Sequence, residues 1–268
     1  MRVLLITGNH LRHRFIVSTI CQSCEVVGWI AEERGPMLLT PPTGISEHLT
    51  KLFNHHFAMR DRAEKEFFAE HSALPAHVPV LTISREELNG SKVHTFMRAH
   101  PADVVISYGC HKLSEDTLLV LPQARFLNIH GGLSPWYRGT TTHFWPVYFL
   151  EPQMVGFTLH ETEQALDGGA VLLQNCYQPV RGDTTHYIAC RTTVDFAHLL
   201  AQRLSAWEGR TIPAGIKQKT TGRLFLTSDW RPEHLRLVYD LYDDAVVDAL
   251  LDGEIQGHTV QPIDVFAS

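Results

Sequence analysis

Apolar residues fall in a regular alternation of two patterns along most of the chain. Short apolar runs rich in β-branched residues predict buried strands, and they lie at residues 3–7, 25–31, 78–82, 103–108 and 125–130. Between these runs, apolar residues at helical spacing predict helices, at residues 11–21, 47–71, 85–98 and 116–120. Strand–helix–strand units of this kind pair their strands in parallel.

The pattern changes in the second half of the chain. A helix is predicted at 141–150, a strand pair at 155–160 and 171–177, and a long helix at 184–207. Beyond Gly209 the signal weakens to a short strand at 223–226 and one or two helices within 232–251. The sequence therefore predicts an α/β fold with an open, mostly parallel Rossmann-like sheet flanked by helices. A small C-terminal extension, residues 208–268, follows a main domain of residues 1–207.

Composition narrows the class of protein. The hydrophobic content of 44% is that of an ordinary globular core. The formal net charge is −6 with 17 histidines counted as neutral, which argues against a nucleic-acid partner because such proteins need a basic face. The chain has no run of eighteen apolar residues and no signal-peptide pattern, so we expect a soluble, cytoplasmic protein without a membrane partner.

Cysteine and histidine spacings give weak metal signals. Cys21 and Cys24 have CxxC spacing, but no second pair accompanies them, and buried reduced thiols explain them better. The pairs His10-x-x-His13 and His55-His56 lack a Cys or carboxylate at ligand spacing. The sequence therefore predicts no metal site.

The segment 128–139 concentrates polar and loop-forming residues directly after a predicted strand. Asn128 and His130 are two residues apart, so their side chains share one face of that strand. In open α/β sheets, ligands bind at the carboxyl ends of strands. Downstream, Asp167 precedes two glycines in a tight turn that can hold its carboxylate over the same place. Each of the three alone is more commonly a turn or core residue, and their joint occurrence points to a site.

These motifs resemble the signature of the folate-dependent formyltransferases, which include glycinamide ribonucleotide transformylase, methionyl-tRNA formyltransferase and the nucleotide-sugar N-formyltransferases. That signature is Asn-x-His, a Leu-x-Pro loop closing on Gly, and a later Asp before Gly. It appears here as Asn128-Ile129-His130, Leu133-Ser134-Pro135 to Gly139, and Asp167-Gly168-Gly169. Gly132 and Ser134 depart from it, standing where the family usually has Ser and Leu. The resemblance covers residues 1–205 and is most specific within 103–175.

The resemblance implies a catalytic domain that moves a formyl group from 10-formyltetrahydrofolate to a primary amine. Asn128, His130 and Asp167 would be the catalytic residues. Attack of the amine creates an oxyanion, to which the Asn128 amide and a protonated His130 would donate hydrogen bonds. Asp167 would keep His130 charged by raising its pKa, and it could hold a water that relays the proton to the folate nitrogen.

The resemblance also implies where the one-carbon donor lies. The pterin of the folate would bond mainly to backbone groups near Cys110, His111 and Leu113 and to the loop that carries Leu166.

The acceptor site is predicted from local positive charge. The turn that opens the first helix offers free N–H groups to an anion, and His10 and Arg12 add charge there. Arg138, in the loop after His130, is a further candidate for contacting the substrate. The competing interpretation is that the arginines of this helix pair with acidic neighbours such as Glu32.

Several acceptors fit this pattern. An amino sugar carried on a nucleotide is our first choice, and glycinamide ribonucleotide or an amino-acid-derived amine are alternatives. Methionyl-tRNA is disfavoured because its formyltransferases carry a C-terminal β-barrel and a basic surface, whereas residues 208–268 look acidic and helical. A non-catalytic folate- or nucleotide-binding module is the alternative of another class. A homodimer is left open.

Overall fold

The computed structural model describes residues 1–163, 167–219, 222–257 and 260–267. Its strands are β1 (Arg2–Gly8), β2 (Glu25–Glu32), β3 (Val80–Ile83), β4 (Val104–Tyr108), β5 (Arg125–His130), β6 (Tyr137–Gly139), β7 (Gly156–Glu161), β8 (Val171–Cys176) and β9 (Arg223–Phe225). Its α-helices are α1 (Leu11–Cys21), α2 (Glu47–Phe68), α3 (Ser91–Ala99), α4 (Glu115–Leu118), α5 (Trp145–Tyr148), α6 (Thr185–Ala206) and α7 (Val246–Leu251). None of the described helices is both long and apolar enough to cross a membrane.

Seven strands form one sheet in the order β3-β2-β1-β4-β5-β7-β8. The first five of these are parallel to one another, and β7 and β8 continue the sheet as antiparallel strands. The strand order reverses direction between β1 and β4, which is where open α/β sheets bind ligands. The predicted open, mostly parallel α/β sheet is confirmed.

Side chains of the central strand β1 alternate between two apolar layers. Val3 and Leu5 pack in one layer with residues of α1 and α6, whereas Leu4 and Ile6 pack in the other with residues of α3. This alternation is the period-2 pattern of a strand that is covered on both faces. Helix α2 lies on the α1–α6 side, where its Ala63 and Phe68 join that layer.

Helix α2 is one continuous helix, where the sequence left open one helix or two. The side chain of Ser46 accepts a hydrogen bond from the Leu49 N–H and so caps its first turn. Further along, Phe53 and Phe57 pack in a third apolar cluster together with Leu235 and Val238 from the C-terminal part of the chain.

Two predicted helices are shorter than expected, and one strand was missed. Helix α3 begins at Ser91 and not at residue 85, because residues 85–89 form turns and Gly90 is the N-cap. Helix α5 covers only Trp145–Tyr148: Thr141 has φ of 59°, which is not helical, and Pro146 is tolerated only in a first helical turn. The missed strand, β6, is three residues long, too short for a pattern, and pairs in parallel with β9.

The C-terminal residues pack closely against the rest of the chain. Beyond β9, the chain forms 3₁₀ turns at Thr227–Asp229 and Pro232–His234, a π-helical segment at Leu237–Leu241, and then α7. Ile216 forms an isolated bridge to Val171 of β8, and Asp264 forms one to Leu173 of the same strand. These contacts place the predicted extension beside strand β8.

Candidate active site

The carboxyl ends of β1, β2, β4 and β5 meet at one edge of the sheet, since these strands are parallel. At the point where the strand order reverses, the ring of His13 fills the space between Gly8 and Gly109. A Cβ atom on Gly8 would lie 2.6 Å from the His13 ring, and one on Gly109 would lie 2.4 Å from it. Only glycine fits at both positions, and the backbone there comes close to the centre of the edge.

Asn128, His130 and Asp167 converge at this edge. The Nδ1 atom of His130 lies 3.5 Å from Oδ1 of Asp167. The Asn128 amide is oriented by Ser107, whose hydroxyl donates to Oδ1 over 2.8 Å, which leaves Nδ2 as the donor that faces the site. Asp167 and His130 are buried, with 8% and 6% of their surfaces exposed. The structure thus brings together the three residues predicted from the motif.

His160 is a fourth polar residue of this group, and the sequence did not single it out. It lies opposite Asn128 in the antiparallel pairing of β5 with β7. Its Nε2 lies 3.2 Å from Nδ2 of Asn128 and 3.6 Å from Oδ1 of Asp167. Its Nδ1 donates to the Glu161 carbonyl over 2.8 Å, which fixes the ring. The signal that could have found it is the strand pairing, which brings a histidine across from the asparagine predicted to be catalytic.

The ring of His130 is held from its other side. Nε2 donates a hydrogen bond to the carbonyl of Tyr137 over 2.8 Å. A Cβ atom at position 132 would lie 2.4 Å from that Nε2 and 2.5 Å from the same carbonyl oxygen. The first departure from the family signature, Gly132 in place of Ser, is therefore what this arrangement requires, because any side chain would displace the ring.

The second departure, Ser134, lies fully buried below the loop. Its N–H donates to Oγ1 of Thr158 over 3.0 Å, and its carbonyl accepts from Nε2 of Gln174 over 2.6 Å. These hydrogen bonds run through the Ser134 backbone, so the loop is anchored to β7 and β8 independently of the side chain at this position.

Burial dominates the pKa of His130. Loss of hydration lowers this pKa below its ordinary value, although the Asp167 carboxylate and the Tyr137 carbonyl act in the opposite direction. The Asp167 carboxylate thus acts on the pKa of His130 in the predicted direction, and burial opposes it with the larger effect. Nε2 holds a proton against the Tyr137 carbonyl, and the Asp167 carboxylate lies beside Nδ1, where it stabilises a second proton when the ring takes one up.

Asp167 is held ionised by its surroundings. Burial would raise the pKa of Asp167, but hydrogen bonding from His160, the electrostatic influence of the His130 ring and the Gly139 N–H together lower it below its ordinary value. The Gly139 N–H donates to Oδ2 over 2.8 Å. The Asp167 backbone has φ of 49°, in the left-handed region, and Gln218 anchors this turn by donating Nε2 to the Asp167 carbonyl over 2.8 Å.

A cavity of about 380 Å³ opens beside these residues, and we name it the catalytic cavity. Asn128, His130 and Asp167 line it, as do Cys110, His111 and Leu113, three of the four residues predicted to contact folate. The fourth, Leu166, lies outside the described residues.

The part of the catalytic cavity that is lined by the predicted folate-contacting residues has two polar features. The His111 N–H is already bonded to Oε2 of the fully buried Glu32 over 2.8 Å, so this donor is not free for a ligand. Burial raises the pKa of the Cys110 thiol to about 12, which keeps it protonated.

A second cavity of about 340 Å³ adjoins the first, and we name it the α1–α2–α6 cavity after the helices that surround it. The two cavities share part of their lining, and therefore meet beside the residues predicted to be catalytic; the shared residues are Tyr108, Gly109, Gly131 and Thr142. Side chains from α2 and from the start of α6 complete the α1–α2–α6 cavity. They include Arg60, Glu64 and His186, none of which the sequence singled out.

The residues predicted to contact the substrate do not form one group: His10 and Arg12 are hydrogen-bonded to each other, whereas Arg138 lies apart from them in sequence, on β6. Arg12 points into the α1–α2–α6 cavity and forms a hydrogen-bonded ion pair with Glu64, an acidic partner that the sequence did not suggest. His10 accepts from Arg12 through Nδ1 over 3.3 Å and bonds the Gly35 carbonyl through Nε2, so it positions the arginine. Arg138 lies on β6, where its charge helps to lower the pKa of His130.

The described residues contain no group of three or more His, Cys, Asp or Glu side chains that could hold a metal ion. Cys21 and Cys24 are free thiols, and burial raises the pKa of each to about 11.

The formyl transferase family model matches residues 49–204, more than half of the chain. The chain belongs to the formyl transferase family. A methionyl-tRNA formyltransferase of Anaeromyxobacter sp. (strain K) is 30% identical over 187 residues, covering 65% of this chain and 57% of that protein. The chain spans about half the length of the curated relatives it matches.

Solved structures share the fold of this formyl transferase. A sugar N-formyltransferase from a Shewanella species has a TM-score of 0.53 at 18% identity, over 89% of this chain and 87% of that one. A phosphoribosylglycinamide formyltransferase from Anaplasma phagocytophilum has a TM-score of 0.54 at 16% identity, over 85% and 98% of the two chains. At these identities the likeness shows the fold. The expected membership of the formyltransferase family is confirmed.

Proposed function

We propose that the protein is an N-formyltransferase that moves the formyl group of 10-formyltetrahydrofolate to a primary amine of a small molecule. The observation that carries this proposal is the convergence of Asn128, His130 and Asp167 where two cavities meet. One cavity offers room for the folate beside the predicted pterin residues, and the other offers room for the acceptor. Both volumes are within the range of about 300–1,000 Å³ usual for small-molecule sites.

The roles of the three residues follow from their protonation. The acceptor nitrogen attacks the formyl carbon, a C–N bond forms, and the carbonyl electron pair moves to oxygen. Nδ2 of Asn128 is the donor placed to stabilise this oxyanion, and loss of such a donor costs about 10²–10³ in rate. Neutral His130 accepts the proton of the attacking nitrogen at Nδ1, and Asp167 stabilises the imidazolium that results.

Completion of the reaction returns the proton. The charged His130 donates through Nδ1 to the oxyanion and then releases its proton, through water held by Asp167, to the folate nitrogen as the bond from that nitrogen to the formyl carbon breaks. Every bond is then accounted for: the amine is formylated, tetrahydrofolate leaves, and His130 is neutral again. This sequence differs from the expectation of a permanently charged histidine.

For the acceptor we propose an amino sugar carried on a nucleotide. Support comes from the polar lining of the α1–α2–α6 cavity, where Arg12 and Arg60 supply positive charge in a protein of net charge −6. Glycinamide ribonucleotide and an amino-acid-derived amine would use the same charge. A second candidate is the amine of methionyl-tRNA, which is favoured by the names of the curated relatives and opposed by the acidic net charge.

A panel of acceptors separates these substrates. The protein is incubated with 10-formyltetrahydrofolate and, separately, a free amino sugar, a nucleotide-linked amino sugar, glycinamide ribonucleotide, an amino acid and methionyl-tRNA. Mass spectrometry of each acceptor measures the addition of a formyl group. We expect product with the nucleotide-linked amino sugar. Product with methionyl-tRNA only would contradict the acceptor assignment, and folate binding without product from any amine would favour a non-catalytic binding module.

A further inference from the structure

Two guanidinium groups share one carboxylate in the α1–α2–α6 cavity. Arg12 forms a hydrogen-bonded ion pair with Oε1 of Glu64, and Nε of Arg60 lies 3.5 Å from the same oxygen. Glu64 is almost fully buried, whereas the side chains of Arg12 and Arg60 keep 21% and 31% of their surfaces exposed. The two arginines therefore offer accessible donors to a ligand, and the carboxylate does not.

This arrangement leaves one positive charge without a counterion. Glu64 is the single carboxylate among the described residues that line the cavity, so the three ionised groups sum to +1. Burial and the neighbouring Arg12 lower the pKa of Arg60 to about 10, which still leaves it protonated at neutral pH. An uncompensated charge in a largely buried site is costly for the folded protein, and a bound anion removes that cost.

Two histidines add acceptors to the same cavity. Nε2 of His143 and Nε2 of His186 are buried and have no hydrogen-bond partner among the described residues. Each ring bonds a backbone group at its other nitrogen, to Gly156 for His143 and to His56 for His186. Burial lowers both pKa values to about 3, so both rings are neutral and each free Nε2 accepts hydrogen bonds. Buried polar atoms without partners are unusual, and a ligand with hydroxyl or N–H donors would satisfy them.

We infer that the α1–α2–α6 cavity binds an acceptor that carries an oxyanion close to its amine, with Arg60 and Arg12 holding the oxyanion and His143 and His186 accepting hydrogen bonds from its hydroxyl or N–H groups. This inference rests on the proposed function for the identity of the reacting amine. It places the anion inside the cavity, between α1 and α2, and not at the turn where α1 begins. The oxyanion is a carboxylate or a phosphate, because both match the donors of a guanidinium.

The shared lining of the two cavities lets an acceptor bound in the α1–α2–α6 cavity present its amine to the catalytic cavity. Gly131 and Thr142 line the catalytic cavity and the α1–α2–α6 cavity alike, and Gly131 directly follows His130. The amine of an acceptor held by Arg60 can therefore reach the catalytic residues. It does so only if a compact scaffold joins the amine to the anion.

Binding of simple anions tests this inference without knowledge of the acceptor. The midpoint of thermal unfolding of the full chain is measured in increasing inorganic phosphate, acetate or chloride at equal ionic strength. An anion that binds the folded state raises the midpoint as its concentration rises, which yields an apparent Kd. We expect phosphate or acetate to stabilise the protein more than chloride does. Tighter binding of phosphate would indicate a phosphorylated acceptor, and tighter binding of acetate would indicate a carboxylated one.

Arg60→Gln supplies the decisive comparison, with Arg62→Gln as its matched control on the exposed side of the same helix. Arg60→Gln should weaken anion binding about tenfold or more, while Arg62→Gln should leave it unchanged. Since Arg60→Gln leaves a balanced Arg12–Glu64 pair, its unfolding midpoint in chloride should equal or exceed that of the wild type. Arg60→Lys, which keeps the charge and loses the planar fork, should bind anions with intermediate affinity.

The outcomes separate this inference from the proposed function. A lower midpoint for Arg60→Gln in chloride would make Arg60 a structural ion-pair partner and overturn the inference. So would equal stabilisation of the wild type and Arg60→Gln by phosphate and acetate, or no stabilisation beyond that by chloride. Formyl transfer is assayed in parallel. Transfer without Arg60-dependent anion binding rejects this inference alone, whereas Arg60-dependent binding without transfer to any amine rejects the proposed function alone.

Discussion

At the scale of single residues, the site depends on how the His130 ring is confined. The ring lies between the Tyr137 carbonyl, 2.8 Å from Nε2, and Asp167, 3.5 Å from Nδ1. Gly132 leaves the space that the first contact needs. Confinement also removes the ring from water. This loss of hydration lowers the pKa of His130 by more than the Asp167 carboxylate raises it. His130 is therefore prepared to accept a proton.

Asp167→Asn tests this electrostatic balance. Because the Asp167 carboxylate stabilises the charged imidazole, its removal should lower the pKa of His130 further below the ordinary value of 6.5. Titration of the His130 ring by NMR measures both midpoints without any need for turnover. We expect a wild-type midpoint below 6.5 and a lower one in the variant. A wild-type midpoint above 6.5, or a rise on substitution, would contradict the assignment of a neutral resting histidine.

At the scale of elements, the C-terminal residues hold in place the turn that carries Asp167. Nε2 of Gln218 donates to the carbonyls of Asp167 and Gly169 over 2.8 and 2.9 Å. Strand β9 pairs with β6, and Gly139, the last residue of β6, donates its N–H to Asp167. Gln218 thus holds the backbone of the turn directly, and β9 supports it indirectly, through the strand whose Gly139 bonds the Asp167 carboxylate.

Gln218→Ala should therefore lower kcat while leaving the fold intact. The turn that carries Asp167 loses two hydrogen bonds, and displacement of a catalytic group by about 1 Å can cost up to ~10² in rate. Gln256→Ala, an exposed glutamine in the same part of the chain, is the matched control and should behave as the wild type. Steady-state kinetics of formyl transfer, with the unfolding midpoint recorded alongside, gives the comparison. An unchanged kcat in Gln218→Ala would show that the turn carrying Asp167 keeps its conformation without the Gln218 hydrogen bonds.

The sequence predicts the bounds of some strands and helices more accurately than those of others. The strands β1, β2, β4 and β5 are long buried runs, and their bounds come within one or two residues of the expectation. The start of α3 and the extent of α5 depend on single backbone positions, Gly90 and Thr141, where a left-handed or capping conformation overrides helical spacing. A three-residue strand such as β6 leaves no pattern at all.

At the scale of the whole molecule, the charge around one cavity is opposite in sign to the net charge of the chain. The chain carries a net charge of −6, yet its α1–α2–α6 cavity is lined by two arginines and one glutamate. The sequence suggested a basic spot from His10 and Arg12, because both lie at the turn that opens α1. Arg60, Glu64 and His186 come from distant helices, and only the packing of α2 and α6 against α1 brings them to the same place. Asn128, His130 and Asp167 could be singled out from the sequence because they belong to a recognisable signature.

The most direct measurement of the central assignment separates folate binding from turnover in His130→Asn. The variant and the wild type are titrated with tetrahydrofolate to obtain Kd, and formylated product is quantified by mass with an acceptor that the wild type uses. Because the ring acts on the proton of the attacking nitrogen, we predict an unchanged folate Kd and a loss of product formation. Intact product formation together with lost folate binding would contradict the assignment of His130 as the proton acceptor.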